Sequence, residues 1–200
     1  GQVLQCPYSA EKARIVIREM ADALALELVE KGLATDQLTL TVGYDIENIQ
    51  DPERLSRYQG EIKKDRYGRF VPKHSHGTEN IGKYTSSTRK IQDAADALFH
   101  RIVDPGLLIR RLNITANHVM SEREVPEADA CEQMDLFVDY EIMQEEKRRE
   151  EAEQVREKKI QSTVLDIKRR FGKNAILKGT ALEDGATSRE RNQKIGGHQA

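Results

Sequence analysis

Two arginines followed by small hydrogen-bonding residues at every second position are the feature of this sequence best suited to chemistry with a ligand. They lie in Leu107-Leu-Ile-Arg-Arg-Leu-Asn-Ile-Thr-Ala-Asn117, and the polar members are Arg110, Arg111, Asn113, Thr115 and Asn117. Guanidinium groups match phosphate geometry, and Thr hydroxyls and Asn amides reach phosphate oxygens, so the set suits a nucleic-acid backbone. At a period of two, Leu108, Leu112, Ile114 and Ala116 share one face, while Ile109, Arg111, Asn113, Thr115 and Asn117 share the other. That alternation predicts a strand with one face on a core and one face open. Arg110 falls on the core side of this pattern. Either it snorkels at a sheet edge or a bulge resets the alternation. The plain alternative for the whole strand is a solvated face of an antiparallel sheet.

The rest of the chain must position that strand. With 200 residues, 38% hydrophobic, 33% charged and a mean hydropathy of -0.70, it can form one compact domain plus a charged appendage. The formal net charge of -2 supplies no global pull toward nucleic acid, so any such affinity must come from a local patch. Cys6 and Cys131 cannot make a disulfide framework, and no apolar run suits a signal peptide or a membrane span. The expectation is a cytoplasmic protein. The start at Gly1, running directly into the strand-like Val3 to Tyr8, is expected of an excised domain.

Ser9 caps a helix with apolar residues Ala13, Val16, Ile17, Met20, Ala21, Leu24 and Leu28, which Gly32 ends. Leu38, Leu40, Val42 and Tyr44 alternate with Thr39, Thr41 and Gly43 in a second strand. Asp45 to Pro72 reads as a polar, hairpin-like excursion, after which Lys73 to Tyr84 is extended. Ser86-Ser87-Thr88 caps a second helix with Ile91, Ala94, Ala95, Leu98 and Ile102, and Asp104-Pro-Gly106 turns into the Arg110-Arg111 strand. The fold class is therefore α+β, a two-layer β-α-β-β-α-β sandwich with a four-stranded sheet and two helices on one face. Val119 to Glu132 reads as an acidic linker. Glu141 to Phe171 reads as a long charged helix whose Ile160, Val164, Ile167 and Phe171 stripe packs on something, and Lys173 to Ala200 as a flexible tail. The divisions are 1–118 for the domain, 119–140 for the linker and 141–200 for the helix and tail.

This order of elements, the Ile109-Arg110-Arg111 strand, the His76-Gly77 turn before a capped helix, and the ending Phe171-Gly-Lys-Asn-Ala-Ile-Leu177 with Arg189-Glu-Arg-Asn192 and Ile195-Gly-Gly-His198 resemble the C-terminal part of Y-family translesion DNA polymerases, in particular the ImpB/MucB/SamB group. The resemblance implies a little finger domain that lays its sheet in the major groove of primer-template duplex. It places DNA contacts on Arg110, Arg111 and Thr115, with Asn113 and Asn117 beside them, and on Lys73, His74, Ser75, His76 and Thr78. Nothing here resembles the family's metal-binding palm, so this chain is not expected to polymerise. The parent protein, a DNA-directed DNA polymerase of DNA repair and the SOS response, would bring the catalytic domain and its magnesium, and this chain would carry no cofactor.

Within that resemblance, Gln133-Met-Asp-Leu-Phe137 looks like the bacterial sliding-clamp ligand. Leu136 and Phe137 would fill an apolar cleft, with Gln133 and Asp135 as the polar members. A staple of the Leu-Phe pair onto the domain's own core is the other reading. His74 and His76 on one side of a strand, with Cys6, His100 or His118, are too few at metal spacing for a zinc site. An adaptor built on the charged helix is a reading of another class. A hydrolase or transferase lacks its phosphate loop, nucleophile elbow and helix-borne carboxylate or histidine pair.

Overall fold

Strand β1 (Gln2–Tyr8) leads through Ser9, whose hydroxyl accepts from the Lys12 amide, into helix α1 (Ala10–Lys31). Gly32, in the left-handed region at φ 64°, receives the end of the helix and starts strand β2 (Leu33–Tyr44). The computed structural model describes residues 1–65, 67–125, 140–195 and 198–199. After β2 come two short helices, α2 (Glu47–Gln50) and α3 (Pro52–Arg57), and a small hairpin of β3 (Ile62–Lys64) and β4 (Phe70–Pro72). The expected hairpin-like excursion thus holds a hairpin, and Asp51 caps the helix ahead of it with Pro52 at its first position. Strand β5 (Ser75–Thr85), helix α4 (Thr88–Ile102) capped by Ser87, and strand β6 (Ile109–Asn117) complete the sandwich.

The strand order is β1-β6-β2-β5, antiparallel throughout. Helix α1 carries the chain across β6 and α4 carries it across β2, so both lie side by side on the same sheet face. Ala13, Val16, Ile17, Met20 and Ala21 of α1 and Ile91, Ala95, Leu98 and Phe99 of α4 bury against Leu4, Leu38, Leu40, Val42, Ile109 and Leu112. Each fully buried Leu or Ile contributes about 1.5–3 kcal/mol. A short fifth strand, β7 (Met120–Ser121), pairs with Leu33 and Ala34 of β2, so the sheet extends past the predicted domain end at 118. The predicted turn at His76-Gly77 is instead mid-strand. Gly77 faces the helices, where a Cβ would lie 2.8 Å from an Ile102 methyl, so glycine there lets α4 approach the sheet.

Helix α5 (Tyr140–Phe171) matches the long charged helix, and its docking is in large part polar. Of the expected apolar stripe, Val164 and Ile167 are half-buried, while Ile160 is 55% and Phe171 74% exposed, so the stripe is shorter than predicted. Its anchors are Glu157, which accepts from Ser87 Oγ (2.6 Å) and the Arg89 amide (3.0 Å) at the start of α4, and buried Gln161, which donates to Ser86 O and Thr88 Oγ1 at 2.9 Å. A carboxylate at a helix N-terminus is favoured by the exposed amides and the helix dipole.

The predicted flexible tail is corrected as well, for it runs back along α1. Lys178 pairs with Asp22 and Asp184 with Lys12, each at 2.6 Å. A turn at Gly179–Leu182 precedes helix α6 (Ser188–Arg191), whose first amides donate to buried Glu19: Thr187 N at 2.8 Å and Ser188 N at 3.0 Å. Arg191 then donates to Gln2. Burial holds the Arg191 guanidinium below its usual pKa, against the opposing influence of Glu19. Strands β8 (Lys194–Ile195) and β9 (His198–Gln199) pair at the end. Among the described residues, no helix is long and apolar enough to cross a membrane.

Candidate nucleic-acid interface

The sheet face away from α1 and α4 is covered by no described element, and its register decides which side chains reach it. Arg111 pairs with Gly43, but the next partners are Ile109 and Tyr44, so Arg110 is the extra residue of a bulge. The bulge turns Ile109 into the core at 0% exposure, which corrects its predicted place on the open face beside Arg111. From Arg111 onward the alternation holds, and Arg111, Asn113, Thr115 and Asn117 all lie on the open face.

Across the central strands these residues meet in rows. Asn113 stands beside Thr41 and His76, Thr115 beside Thr39 and Thr78, and Asn117 beside Gln37 and Asn80. Hydrogen bonds run along and between the rows. Thr41 Oγ1 and His76 Nδ1 are 2.9 Å apart, and Gln37 Nε2 donates to Asn80 Oδ1 at 2.7 Å. Asn117 Nδ2 donates to Thr39 Oγ1 at 2.6 Å and to Gln37 Oε1 at 3.0 Å. These bonds orient the amides and hydroxyls before any ligand arrives, which lowers the ordering cost of binding. Beyond the last row, His118, with φ 49°, turns the chain away and meets Asp36 at 2.9 Å.

The face carries no Asp or Glu in any of these rows, although the chain holds 34 of them. Arg111 is exposed and its side chain makes no hydrogen bond or ion pair with a described residue. Arg110, by contrast, is occupied: its Nη1 donates to Gln5 O at 3.0 Å and its Nε lies 3.7 Å from buried Asp45, so it braces the bulge. Of the other predicted contacts, His76 and Thr78 join the face, while Ser75 points to the helix layer and bonds the Tyr44 hydroxyl at 2.7 Å. Lys73 pairs with Glu61 at 2.9 Å, and His74 is exposed at the entry to β5. Gln133, Asp135, Leu136 and Phe137 lie outside the described residues.

Gln37, Thr39, Thr41 and Asn80 were absent from the predicted set. The alternation of β2 pointed to a polar face there, but only the pairing with β6 puts Thr39 and Thr41 beside Thr115 and Asn113. Among the described residues, no group of three His, Cys, Asp or Glu side chains is placed to hold a metal ion.

Residues 5–136 match the model of the impB/mucB/samB family C-terminal domain, which spans the sandwich from within β1 onward and the segment after it. The chain belongs to that family. It is accordingly the C-terminal, little finger region of a Y-family polymerase. A search of curated proteins gives no match to the chain. The family match covers β2, β5 and β6 in full and ends before the helix α5.

Proposed function

We propose that this little finger domain grips the sugar-phosphate backbone of primer-template DNA with its open sheet face, in the major groove, and so holds a translesion polymerase on its substrate. The observation that carries the reading is the composition of that face: neutral hydrogen-bonding rows with no carboxylate, ending in the unpartnered Arg111. A surface of this kind contacts phosphates and sugars and leaves base edges unread, so the binding is independent of sequence. Thr39, Thr41, Asn113, Thr115 and Asn117 then position the backbone, and Arg111 supplies positive charge at one end of the face.

The test is duplex binding by the whole 200-residue chain as a function of salt. Affinity should fall as salt rises and should be the same for unrelated sequences. Binding that ignores salt, or none at all, favours the adaptor reading and removes this one.

The tether is the second part of the proposal. Gln133 to Phe137 takes the apolar cleft of a sliding clamp, with Leu136 and Phe137 as anchors. Changing both to Ala should abolish co-elution with the clamp while leaving the melting temperature and DNA affinity intact. A loss of several degrees would place the pair in the core instead. Polymerisation and its magnesium belong, in this reading, to the catalytic domain of the parent protein in the cytoplasm.

A further inference from the structure

The excursion between β2 and β5 carries a surface that the duplex grip does not use. From Gly60 to Lys73 the sequence has five basic residues (Lys63, Lys64, Arg66, Arg69, Lys73) against Glu61 and Asp65, a net of +3 in a chain whose total is -2. Strands β3 and β4 pair Lys63 with Val71 and Lys64 with Phe70. The hairpin displays apolar surface where a soluble loop would be expected to be polar: Tyr67 is 63%, Phe70 56% and Ile62 41% exposed. Cations lie over both rings, with Lys64 Nζ 5.1 Å from the centre of Phe70 and the Arg69 guanidinium 5.2 Å from that of Tyr67.

The tip is held in shape. The Asp65 carboxylate accepts from the amides of Tyr67 (2.8 Å) and Arg69 (3.0 Å) and from the Arg69 guanidinium (2.6 and 2.9 Å). At the base, Glu61 O accepts from the Lys73 amide at 2.8 Å and the Glu61 carboxylate pairs with Lys63 and Lys73. The chain leaves the sheet at Tyr44 and returns at Ser75, so the hairpin hangs from the end of the sheet that presents Arg111 and His76.

We infer that the β3–β4 hairpin is a second nucleic-acid site, which takes the unpaired strand beside the gripped duplex by stacking its bases on Tyr67 and Phe70. The rings of a duplex are already stacked on one another, whereas unpaired bases have free faces that an exposed aromatic ring can take in any sequence. Lys64, which pairs with no carboxylate among the described residues, serves the phosphates between those bases, and the net +3 of the segment favours a polyanion. The site rests on the duplex-grip reading for its neighbour, but its own contribution can be separated from it.

The experiment measures anisotropy for the full chain with two probes: a blunt duplex and the same duplex bearing a short single-stranded oligothymidine extension. The unaltered chain should prefer the extended probe by about tenfold, the scale of stacking one base. The double variant Tyr67→Ser/Phe70→Ser should lose that preference and keep its blunt-duplex affinity and melting temperature. Arg111→Ala should weaken both probes alike. Equal binding of the two probes by the unaltered chain, or a preference that survives the double variant, overturns the hairpin site and leaves the duplex grip standing. Failure of the unaltered chain to bind either probe overturns both.

Discussion

The two sides of the central sheet are built on opposite electrostatic rules. On the helix side, charges are numerous and paired: Arg14 with Asp96, Lys90 with Glu150 at 2.6 Å, Lys178 with Asp22, and Glu157 on the start of α4. On the open side, neutral amides and hydroxyls bond one another and the Arg111 charge is left without a partner. Paired charges are satisfied within the molecule and give little further to a ligand, while a carboxylate-free face with a spare cation keeps its attraction for an anion. A chain of net negative charge can in this way present a face free of carboxylates.

The largest effect should come from breaking the paired side at Glu19. Replacing it with Ala leaves the amides of Thr187 and Ser188 without their acceptor in a partly buried setting. This should cost about 2–3 kcal/mol. Thermal unfolding should show the loss, and limited proteolysis should cut the segment around Asp184 faster. Blunt-duplex affinity should be unchanged, because the tail lies along α1 on the other side of the sheet. A parallel loss of DNA affinity would mean that the two sides are not independent.

Next in size is a charge reversal on the open side. Arg111→Glu puts a carboxylate where the face has none and should lower duplex affinity more than about tenfold at low salt, with no change in melting temperature. The milder Arg111→Ala should weaken binding several-fold for all sequences and reduce the slope of log affinity against log salt by about one. Unchanged affinity in both variants would show that the DNA lies elsewhere.

The smallest effect concerns pH. The Arg14 guanidinium, bonded to Asp96 at 2.6 Å, holds that carboxyl below its usual range against the opposing effect of partial burial. Because the folded pKa is depressed, the stabilisation is complete above the unfolded value of about 4 and is lost as pH falls through the folded value below it. The pair is partly exposed, which limits its worth to below about 1 kcal/mol. Asp96→Asn should therefore flatten the acid limb of a stability-versus-pH curve slightly and leave stability at neutral pH only a little lower. An acid limb of unchanged slope would assign it to other carboxylates.

The β-α-β-β-α-β order was legible because each element carries its own periodicity and cap. Ser9, Gly32 and Ser87 end or begin the helices as their local chemistry requires, and Leu38, Leu40 and Val42 mark the core side of β2. Arg111, Asn113, Thr115 and Asn117 were legible for the same reason, since alternation on one strand is a local property. Only the tertiary structure decided the rest. The bulge at Arg110 depends on how β6 meets both β1 and β2, and it moved Ile109 into the core and tied Arg110 to Gln5 and Asp45. The contribution of Thr39, Thr41 and Asn80 to the face depends on strand register, which no single strand contains. The docking of a polar tail depends on Glu19, a residue 168 positions away from Thr187, because hydrogen bonds between distant segments leave no periodicity in the sequence.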